Sequence, residues 1–488
     1  MAPISSLPLD LMPLILDHLS KKDYLALFRT CKSLSKATTP YLYRDITFKA
    51  GPSRQCGRRL AYLLRTLIER PELALHVRSF RLYGSHPFWS RYNPWRQDRI
   101  IPNSTKVNLW GLEGCNVLSH AQLILLSNQF YRLVDDKELH KPSSLFLGRS
   151  KDALAALLLT RFTELTTLDL ADGFLTYSWF IPHLLKRAPS LLPNLSHVIL
   201  GSRHPPSPDA VSFMDLDLIR PIFYIPTIQT FECRMSEPWL FSWSPSGVRA
   251  PPNAVTLTTL HLFRSDIKMQ TFAQLLSVTP NLKSLNYDFE YLSRSAKPCL
   301  IDTQALSSAL SLVRTSLTHL SISLSYAPDS QAFTRFVEQG RQSPILNGAL
   351  LVLKSMTKLQ RIELPMIMVL GWMPGPTIGL ENLLPRRIKT LVLRDDVVSY
   401  SPWVTRREDR EVKLGIVERW VGGKGVFAPG LEKLVVVAEE SERRGKRGGK
   451  LAALFGCSVQ DFTGVVRGAG VEYEVVGLRT MMAGYHGI

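Results

Sequence analysis

The sequence predicts an α/β fold, in which a small N-terminal helical unit precedes a long, irregular array of parallel strands with helices outside them. Two observations predict this array. The pattern LxxLxL, with other apolar residues allowed in place of leucine, occurs ten times in order between positions 77 and 436. Several of the intervening segments place apolar residues three and four positions apart, which is the period of a helix. Strands that alternate with helices pair in parallel, with the helices outside.

The first 48 residues predict three short helices. Asp10 is a favourable N-cap for the first helix. Pro13 then falls at the third helical position, where a missing amide proton loses no intrahelical hydrogen bond. Leu11, Ile15 and Leu19 follow one another at a spacing of four residues, with Leu14 beside them. They therefore predict one apolar stripe.

The next helices follow the sequence SKKD at 20–23, in which Asp23 is the expected cap. Apolar residues again recur at spacings of three and four: Tyr24, Leu27, Phe28, Cys31 and Leu34. The stretch forms either one helix or two short helices that divide near Lys32. Pro40 is expected to end the unit, because the residue before a proline is pushed out of the helical region. Three helices this short cannot enclose a stable core alone, so their apolar side chains need another surface.

At this point the residues resemble a known family. LPLDLMPLILDHLSKKDYLALFRTCKSL (7–34) resembles the F-box, and TPYLYRDITF (39–48) resembles the ending common in fungal F-box proteins. The family's typical positions are occupied by Leu7, Pro8, Ile15, Leu19, Asp23, Leu27, Cys31 and Lys32. Leu34 stands where many members carry Trp, and Pro13 lies inside the first helix.

The resemblance implies a function and a set of contacts. In that family the F-box binds the Skp-type adaptor of a cullin-RING (SCF-type) ubiquitin ligase, and the rest of the chain captures a target protein. The residues that the resemblance assigns to adaptor binding are Leu7, Pro8, Leu11, Ile15, Leu19, Leu27, Cys31 and Leu34. Such a receptor catalyses nothing and contributes proximity. The alternative is a helical cap packed on the following chain, which does not exclude a helix-in-groove role.

The ten LxxLxL copies predict an irregular leucine-rich-repeat-like solenoid. LTTLDLADGFL, which begins at Leu165, and LTTLHLFRSDI, which begins at Leu257, are the strongest copies. The other copies begin at Val77, Leu195, Ile228, Leu282, Leu317, Leu359, Ile388 and Leu431. Regular repeats carry an Asn or Cys ladder, whereas these two strong copies have Gly173 and Ser265 at the ninth position. The alternative is a doubly wound α/β domain, but the sequence shows no Gly-rich phosphate loop after its first strand.

The predicted organisation has three parts. Residues 1–48 form the helical F-box module, 49–150 a linker helix, a first strand and a Trp- and Pro-rich insertion, and 151–488 the solenoid with its cap. The clearest helical segments lie at 152–162, 178–188, 271–279, 303–313 and 346–356. The insertion at 84–116 contains tryptophans that suit either a binding surface or an anchor to the body. The tryptophans of 237–254 lie in a loop before a strong strand, on the side where solenoids often present loops. Residues 457–476 predict a helix ending near Gly468 and a closing strand.

The composition is that of a globular protein with a surplus of basic residues. The chain has 488 residues, a formal net charge of +18 and 45% hydrophobic residues, so it can build a large core. Its basic character leaves nucleic acid or an acidic partner open, and ESERRGKRGGK (440–450) is either a solvated loop or an anion-binding or localisation patch. The six cysteines lack metal-ligand spacing and are expected to be buried thiols. Without a secretory pattern or a run of about eighteen apolar residues, the chain is expected to be intracellular, in the cytoplasm, the nucleus or both.

Catalytic motifs are missing from the sequence. GxSxG, HExxH and GxGxxG do not occur. GKRGGKL (445–451) has Leu451 where a phosphate-binding loop needs Ser or Thr, and its glycine spacing is wrong. Asp215 and Asp217 form a DxD pair that arises easily by chance. We therefore expect no enzyme activity, no cofactor and no metal site.

Two hypotheses of different class remain. In the first, the chain is a substrate receptor of a ubiquitin ligase and needs neither nucleic acid nor a membrane. In the second, it is a basic nucleic-acid- or chromatin-binding solenoid whose N-terminal helices only cap the array. Salt dependence separates them, because phosphate contacts weaken steeply with salt and an apolar interface does not.

Overall fold

The structure is a computed structural model of the chain, and it describes only part of the sequence. The described residues are 11–49, 55–83, 151–175, 180–201, 219–238, 241–243, 250–291, 301–326, 346–347, 349–371, 379–394, 396, 407–438 and 459–477, with short pieces between 117 and 128. The chain divides into two compact units, Met1–Cys233 and Arg234–Ile488.

The first unit begins with three helices and continues as a parallel sheet. Its helices are α1 (Met12–Leu16), α2 (Lys21–Phe28), α3 (Lys32–Arg44), α4 (Gln55–Glu69), α5 (Lys151–Leu159), α6 (Asp172–Leu175), α7 (Phe180–Lys186) and α8 (Ala188–Leu191), with 3-10 turns at Pro71–His76 and Arg220–Tyr224. Its strands are β1 (Asp45–Lys49), β2 (Ser79–Tyr83), β3 (Thr167–Leu170), β4 (His197–Leu200) and β5 (Thr230–Cys233), which pair in this order and in parallel.

The start of α1 differs by one residue from the expectation. Leu11 is the N-cap, without a side-chain cap, and Pro13 occupies the second helical position. Proline is tolerated at the second helical position as it would be at the third, because the first four amides of a helix have no intrahelical acceptor. Asp10 lies outside the described residues.

The expectation that Asp23 caps α2 is wrong. Ser20 is the N-cap, and Asp23 is the third helical residue, which completes a capping box. The Asp23 carboxylate accepts hydrogen bonds from the Ser20 amide (2.9 Å) and hydroxyl (2.6 Å). These two bonds hold the pKa of Asp23 below its usual value.

The expectation that Pro40 ends the helical unit is wrong, because Pro40 lies inside α3. Proline there leaves the carbonyl of Lys36 without its usual amide, but Lys36 is exposed and water can replace the bond. Beyond Pro40, Tyr41 packs against the small core of the helical unit. The helix therefore runs on to Arg44, and β1 begins at the next residue.

The second unit repeats the alternation of strand and helix. Its strands are β6 (Thr259–Ser265), β7 (Ser284–Tyr291), β8 (Ile301–Asp302), β9 (His319–Tyr326), β10 (Leu346–Asn347), β11 (Arg361–Pro365), β12 (Thr390–Arg394), β13 (Lys433–Ala438) and β14 (Glu472–Gly477). The main sheet runs β6-β7-β9-β11-β12-β13-β14, all parallel, while β8 and β10 pair separately. The helices are α9 (Met269–Ser277), α10 (Thr303–Ser311), α11 (Met366–Leu370), α12 (Leu380–Leu383), α13 (Arg407–Gly422), α14 (Lys424–Phe427) and α15 (Val459–Gly468), with a 3-10 turn at Leu351–Ser355.

All ten LxxLxL copies form strands, and their apolar residues are buried. Leu165, Leu168 and Leu170, for example, are 0% exposed. In nine of the ten copies the amide of the first residue bonds the carbonyl three residues before it, as Leu165 does to Phe162 (3.1 Å), and in the remaining copy Leu317 bonds Val313, four residues before it. This turn brings the following residues into the strand direction.

One hydrogen-bond arrangement recurs between successive strands of each unit. The carbonyl of the residue just before a strand accepts two consecutive amides from the start of the neighbouring strand. Thr166 O accepts from Ser196 and His197 (2.9 Å each) in the first unit, and Lys283 O accepts from Thr318 (2.8 Å) and His319 (2.9 Å) in the second. The carbonyls of six other residues also accept two consecutive amides: Arg78, Ser196, Thr258, Thr318, Gln360 and Lys389.

Most predicted helices are present, and one is wrong. The segments expected at 152–162, 178–188, 271–279 and 303–313 contain α5, α7, α9 and α10, and the expected closing pair is α15 and β14. The helix expected at 346–356 is instead the short strand β10 and a 3-10 turn. Residues 84–116 lie outside the described part of the chain.

Candidate partner-binding surface

The first three helices enclose a very small core. Met12, Leu16 and Leu34 are its buried members, with exposed fractions of 6%, 1% and 5%. Leu19, Tyr24, Leu27, Ala37 and Tyr41 pack around them and are partly buried. The Tyr24 hydroxyl donates a hydrogen bond to the Leu16 carbonyl (2.6 Å), which ties α2 to the end of α1.

Four other large apolar side chains of these helices face solvent. Leu14 is 64% exposed, Leu11 and Leu25 are 44% exposed, and Phe28 is 38% exposed. We call these four residues the exposed apolar set. Leu25 and Phe28 are three residues apart on α2 and therefore lie on one helix face. Several large exposed apolar side chains within one short segment are typical of an interaction site.

The residues expected to bind the adaptor divide into three groups. Leu11 and Cys31 are exposed, and Ile15 is half-buried. Leu19 and Leu27 are half-buried against the small core, and Leu34 is one of its buried members. Leu7 and Pro8 lie outside the described residues.

Sequence reasoning missed Leu14, Leu25 and Phe28 as exposed positions. The inner face of α1 contains Met12 and Leu16, whereas the expected stripe passed through Leu11, Ile15 and Leu19. A helix of five residues has too few turns for its periodicity to define which face is buried. The spacing of Tyr24 and Leu27, which pack on the core, was the available signal that Leu25 and Phe28 face away from it.

The helical unit is attached firmly to the sheet that follows it. β1 begins at the residue after α3 and pairs with β2 in parallel over five residue pairs, from Asp45↔Ser79 to Lys49↔Tyr83. The Arg78 amide donates to the Arg44 carbonyl (2.9 Å), and the Lys21 ammonium donates to the Asp45 carbonyl (3.0 Å). The orientation of α2 and α3 is therefore tied to the first strands of this unit.

A polar cluster in the second unit is the strongest candidate for chemistry among the described residues. His261 Nε2 lies 3.2 Å from a carboxylate oxygen of Asp288, and the Ser323 hydroxyl donates to the other oxygen (2.6 Å). Burial alone would raise the pKa of Asp288, but the hydrogen bonds from His261 and Ser323 and the nearby Arg394 outweigh it and lower that pKa. The carboxylate stands between serine and histidine, whereas nucleophilic catalysis needs the histidine beside the serine. The three residues therefore do not have the order of a catalytic triad.

A buried ionic network lies nearby. The Arg394 guanidinium contacts Glu363 (2.6 Å) and Asp396 (2.9 Å), and Glu363 is 1% exposed. Asp396 also accepts a hydrogen bond from the Leu324 amide (2.8 Å), and burial raises the pKa of its carboxyl. The ladder between β11 and β9 ends at Glu363↔Ser321, so the Asp396 carboxylate supplies an acceptor for an amide of β9 beyond the last paired residue.

The described parts of the chain contain neither a metal-binding cluster nor a helix suited to cross a membrane. Within those parts no group of three or more His, Cys, Asp or Glu residues has the geometry of a metal site. None of the described helices combines the length and apolar composition that a membrane crossing requires. Asp215, Asp217 and residues 440–451 lie outside the described ranges.

Comparison with known proteins gives one result for the start of the chain. A search among curated proteins finds no match. Residues 4–49 match the family model described as F-box-like. This range contains α1, α2, α3 and β1, together with the exposed apolar set. The chain therefore carries an F-box-like domain at residues 4–49.

Proposed function

We propose that this protein is a substrate receptor of an SCF-type ubiquitin ligase. In this proposal the F-box-like domain binds a Skp-type adaptor, and the rest of the chain binds a target protein. The observation that carries the proposal is the exposed apolar set, which lies within the segment that matches the F-box-like model. A partner that covered these side chains would remove apolar area from water and gain about 25 cal/mol for each Å².

The proposal assigns no chemistry to the chain itself. A receptor accelerates transfer of ubiquitin by holding the target near a charged enzyme, which raises the effective concentration of the reacting groups. The Ser323, Asp288 and His261 cluster is consistent with this role, because its geometry lacks a serine activated by a histidine.

For the rest of the chain we propose an irregular leucine-rich-repeat-like solenoid, in the domain arrangement 1–48, 49–150 and 151–488. The support is the recurrence of the two-amide arrangement before eight of the described strands and of buried LxxLxL residues in both units. Repeat proteins bury a continuous core by stacking such units. Target recognition would use loops and strand residues, for which the sequence has no readable code.

Co-purification with a Skp-type adaptor tests the adaptor-binding half of the proposal. We expect Leu14→Asp and Leu25→Asp to lose the adaptor, because a carboxylate would be buried in the complex without a partner. Ile15→Asp and Leu19→Asp are less informative, since both positions are already partly buried. Leu351→Asp is the matched control, because Leu351 is 57% exposed in the second unit.

The outcomes are distinct. The proposal is supported if Leu14→Asp and Leu25→Asp lose the adaptor and Leu351→Asp retains it. Failure of the folded parent chain to bind any Skp-type adaptor contradicts it. Steeply salt-dependent binding to DNA or RNA by such a chain would favour the alternative of a nucleic-acid-binding scaffold.

A further inference from the structure

The helices around the exposed apolar set carry a surplus of positive charge. Residues 11–49 contain seven Lys and Arg residues, three Asp residues and no Glu. Two of the cations have clear structural roles, since Arg44 pairs with Asp17 (3.3 Å) and Lys21 bonds the Asp45 carbonyl. Within the described residues, the exposed side chains of Lys22, Arg29 and Lys32 form neither a hydrogen bond nor an ion pair.

Two of these cations lie beside the apolar residues of α2. Lys22 precedes Leu25 by three residues and Arg29 follows it by four, and residues at these spacings are neighbours on a helix surface. Phe28 is the other neighbour of Leu25 toward the end of the helix, three residues after it. We call Lys22 and Arg29 the basic rim.

Helix stability does not explain Lys22. It is the second residue of α2, where the helix dipole places positive partial charge and disfavours a cation. Arg29 lies at the other end, where the dipole favours a cation. Lys22 interacts electrostatically with Asp23 but forms no hydrogen bond or ion pair with the described residues. A cation at an unfavourable helix position, next to an exposed leucine, indicates a role in binding a partner.

We propose that the basic rim recognises a partner surface that is apolar at its centre and acidic at its edge. This inference rests on the proposed function, because it assigns that surface to the Skp-type adaptor. The apolar contacts supply affinity, and the opposite charges accelerate encounter by steering the two surfaces together. Rim charges of this kind mainly change the association rate and its salt dependence.

The test measures association of the full-length chain with a purified Skp-type adaptor at several salt concentrations. In Lys22→Glu/Arg29→Glu we expect the association rate constant to fall about tenfold at low salt. We expect it to approach that of the parent near 1 M salt, where the screening length is about 3 Å. The two substitutions have opposite effects on the α2 dipole, so the thermal midpoint is expected to change little.

Arg59→Glu/Arg70→Glu is the matched control. It makes the same change in net charge at exposed positions outside the F-box-like domain, and its association rate should stay close to the parent value. Equal slowing in both double variants would mean that net charge alone is responsible, and would overturn the inference.

The remaining outcomes separate the inference from the function on which it rests. Normal association of Lys22→Glu/Arg29→Glu at low salt, with a parent that binds, overturns the inference and leaves the proposed function intact. A folded parent that binds no adaptor overturns both. Lys22→Glu/Arg29→Glu could also weaken binding to a short DNA duplex without weakening binding to the adaptor. That result would assign the basic rim to nucleic-acid binding and would overturn the inference.

Discussion

Cys31 and Cys233 show how the position of a residue sets its chemistry. Cys31 is the N-cap of α3 and is exposed, whereas Cys233 ends β5 and is 0% exposed. Burial raises the pKa of the Cys233 thiol, which disfavours the reactive thiolate. The expectation of buried thiols is therefore wrong for Cys31 and confirmed for Cys56 and Cys233 among the described residues.

We expect Cys31 to react with N-ethylmaleimide in the native chain and Cys233 to react only after unfolding. Peptide mass spectrometry at successive times measures both rates in one sample. Adaptor binding should slow labelling of Cys31 if that residue contributes to the interface. Rapid labelling of Cys233 in the native chain would contradict the burial of the β5 end.

Ser323 gives a prediction about pH. Its hydroxyl bonds the Asp288 carboxylate at 2.6 Å, and Ser323 is 5% exposed. The pKa of Asp288 is lowered in the folded state, so its contribution to stability is present above its unfolded pKa and is lost as pH falls through the folded value. Ser323→Ala should cost about 1.5–3 kcal/mol near neutral pH, the usual range for a hydrogen bond to a charged group.

The difference in the free energy of unfolding between Ser323→Ala and the parent should shrink in acid, below the ordinary range of an Asp pKa. Denaturant unfolding at a series of pH values measures this difference, and hydrogen exchange of peptides covering 319–326 locates it. Ser307→Ala is a suitable control, because the Ser307 hydroxyl bonds a backbone carbonyl at 3.5 Å and touches no carboxylate. A pH-independent loss in Ser323→Ala would mean that packing, and not the charge of Asp288, is responsible.

At the scale of single elements, α10 depends on a cap supplied just before it. One carboxylate oxygen of Asp302 accepts hydrogen bonds from the Gln304 amide (2.9 Å) and the Ala305 amide (3.0 Å). Asp302→Ala should therefore destabilise α10 by about 1 kcal/mol, and Asp302→Asn should retain most of the cap. Hydrogen exchange of Gln304 and Ala305 should accelerate in the alanine variant, and equal protection in all three proteins would contradict the cap.

Which elements the sequence predicts depends on how locally they are determined. A strand of the form LxxLxL is predictable because each copy buries its own apolar residues. The strand β1 has no such copy. Ile46 is its only buried residue, and β1 is held in place by its pairing with β2. The continuation of α3 past Pro40 likewise depends on packing of Tyr41, which is a tertiary contact. The segment 346–356 has apolar residues at helical spacing but contains the short strand β10 and a 3-10 turn, and local periodicity does not distinguish these from a helix.

The candidate surface shows the same limit. The sequence correctly locates an apolar segment whose side chains exceed what three short helices can bury. It does not determine which apolar residues face inward, because α1 has five residues and α2 has eight. The sequence predicts Leu34 as an adaptor-binding residue, but its side chain is buried in the small core. Leu14 is not among the predicted adaptor-binding residues, but it is the most exposed member of the exposed apolar set.

At the scale of the whole molecule, the first unit joins its helices to its sheet without a linker. α3 ends at Arg44 and β1 starts at Asp45, and α3 also packs against the turn Pro71–His76. A small core of three residues cannot hold such helices in place alone. We therefore infer that pairing of β1 with β2 stabilises α3 as well as the strand.

Ile46→Asp in the full-length chain tests this dependence. Ile46 is 7% exposed, so a carboxylate there should detach β1 from the sheet, because its burial without a partner costs several kcal/mol. Hydrogen exchange should then accelerate across 32–49, including α3, and leave β11–β13 unchanged. Thr47→Asp is the matched control, because Thr47 is the exposed neighbour on the same strand. If exchange accelerated only within 45–49, α3 would be held by its own contacts, and its orientation would not depend on the sheet.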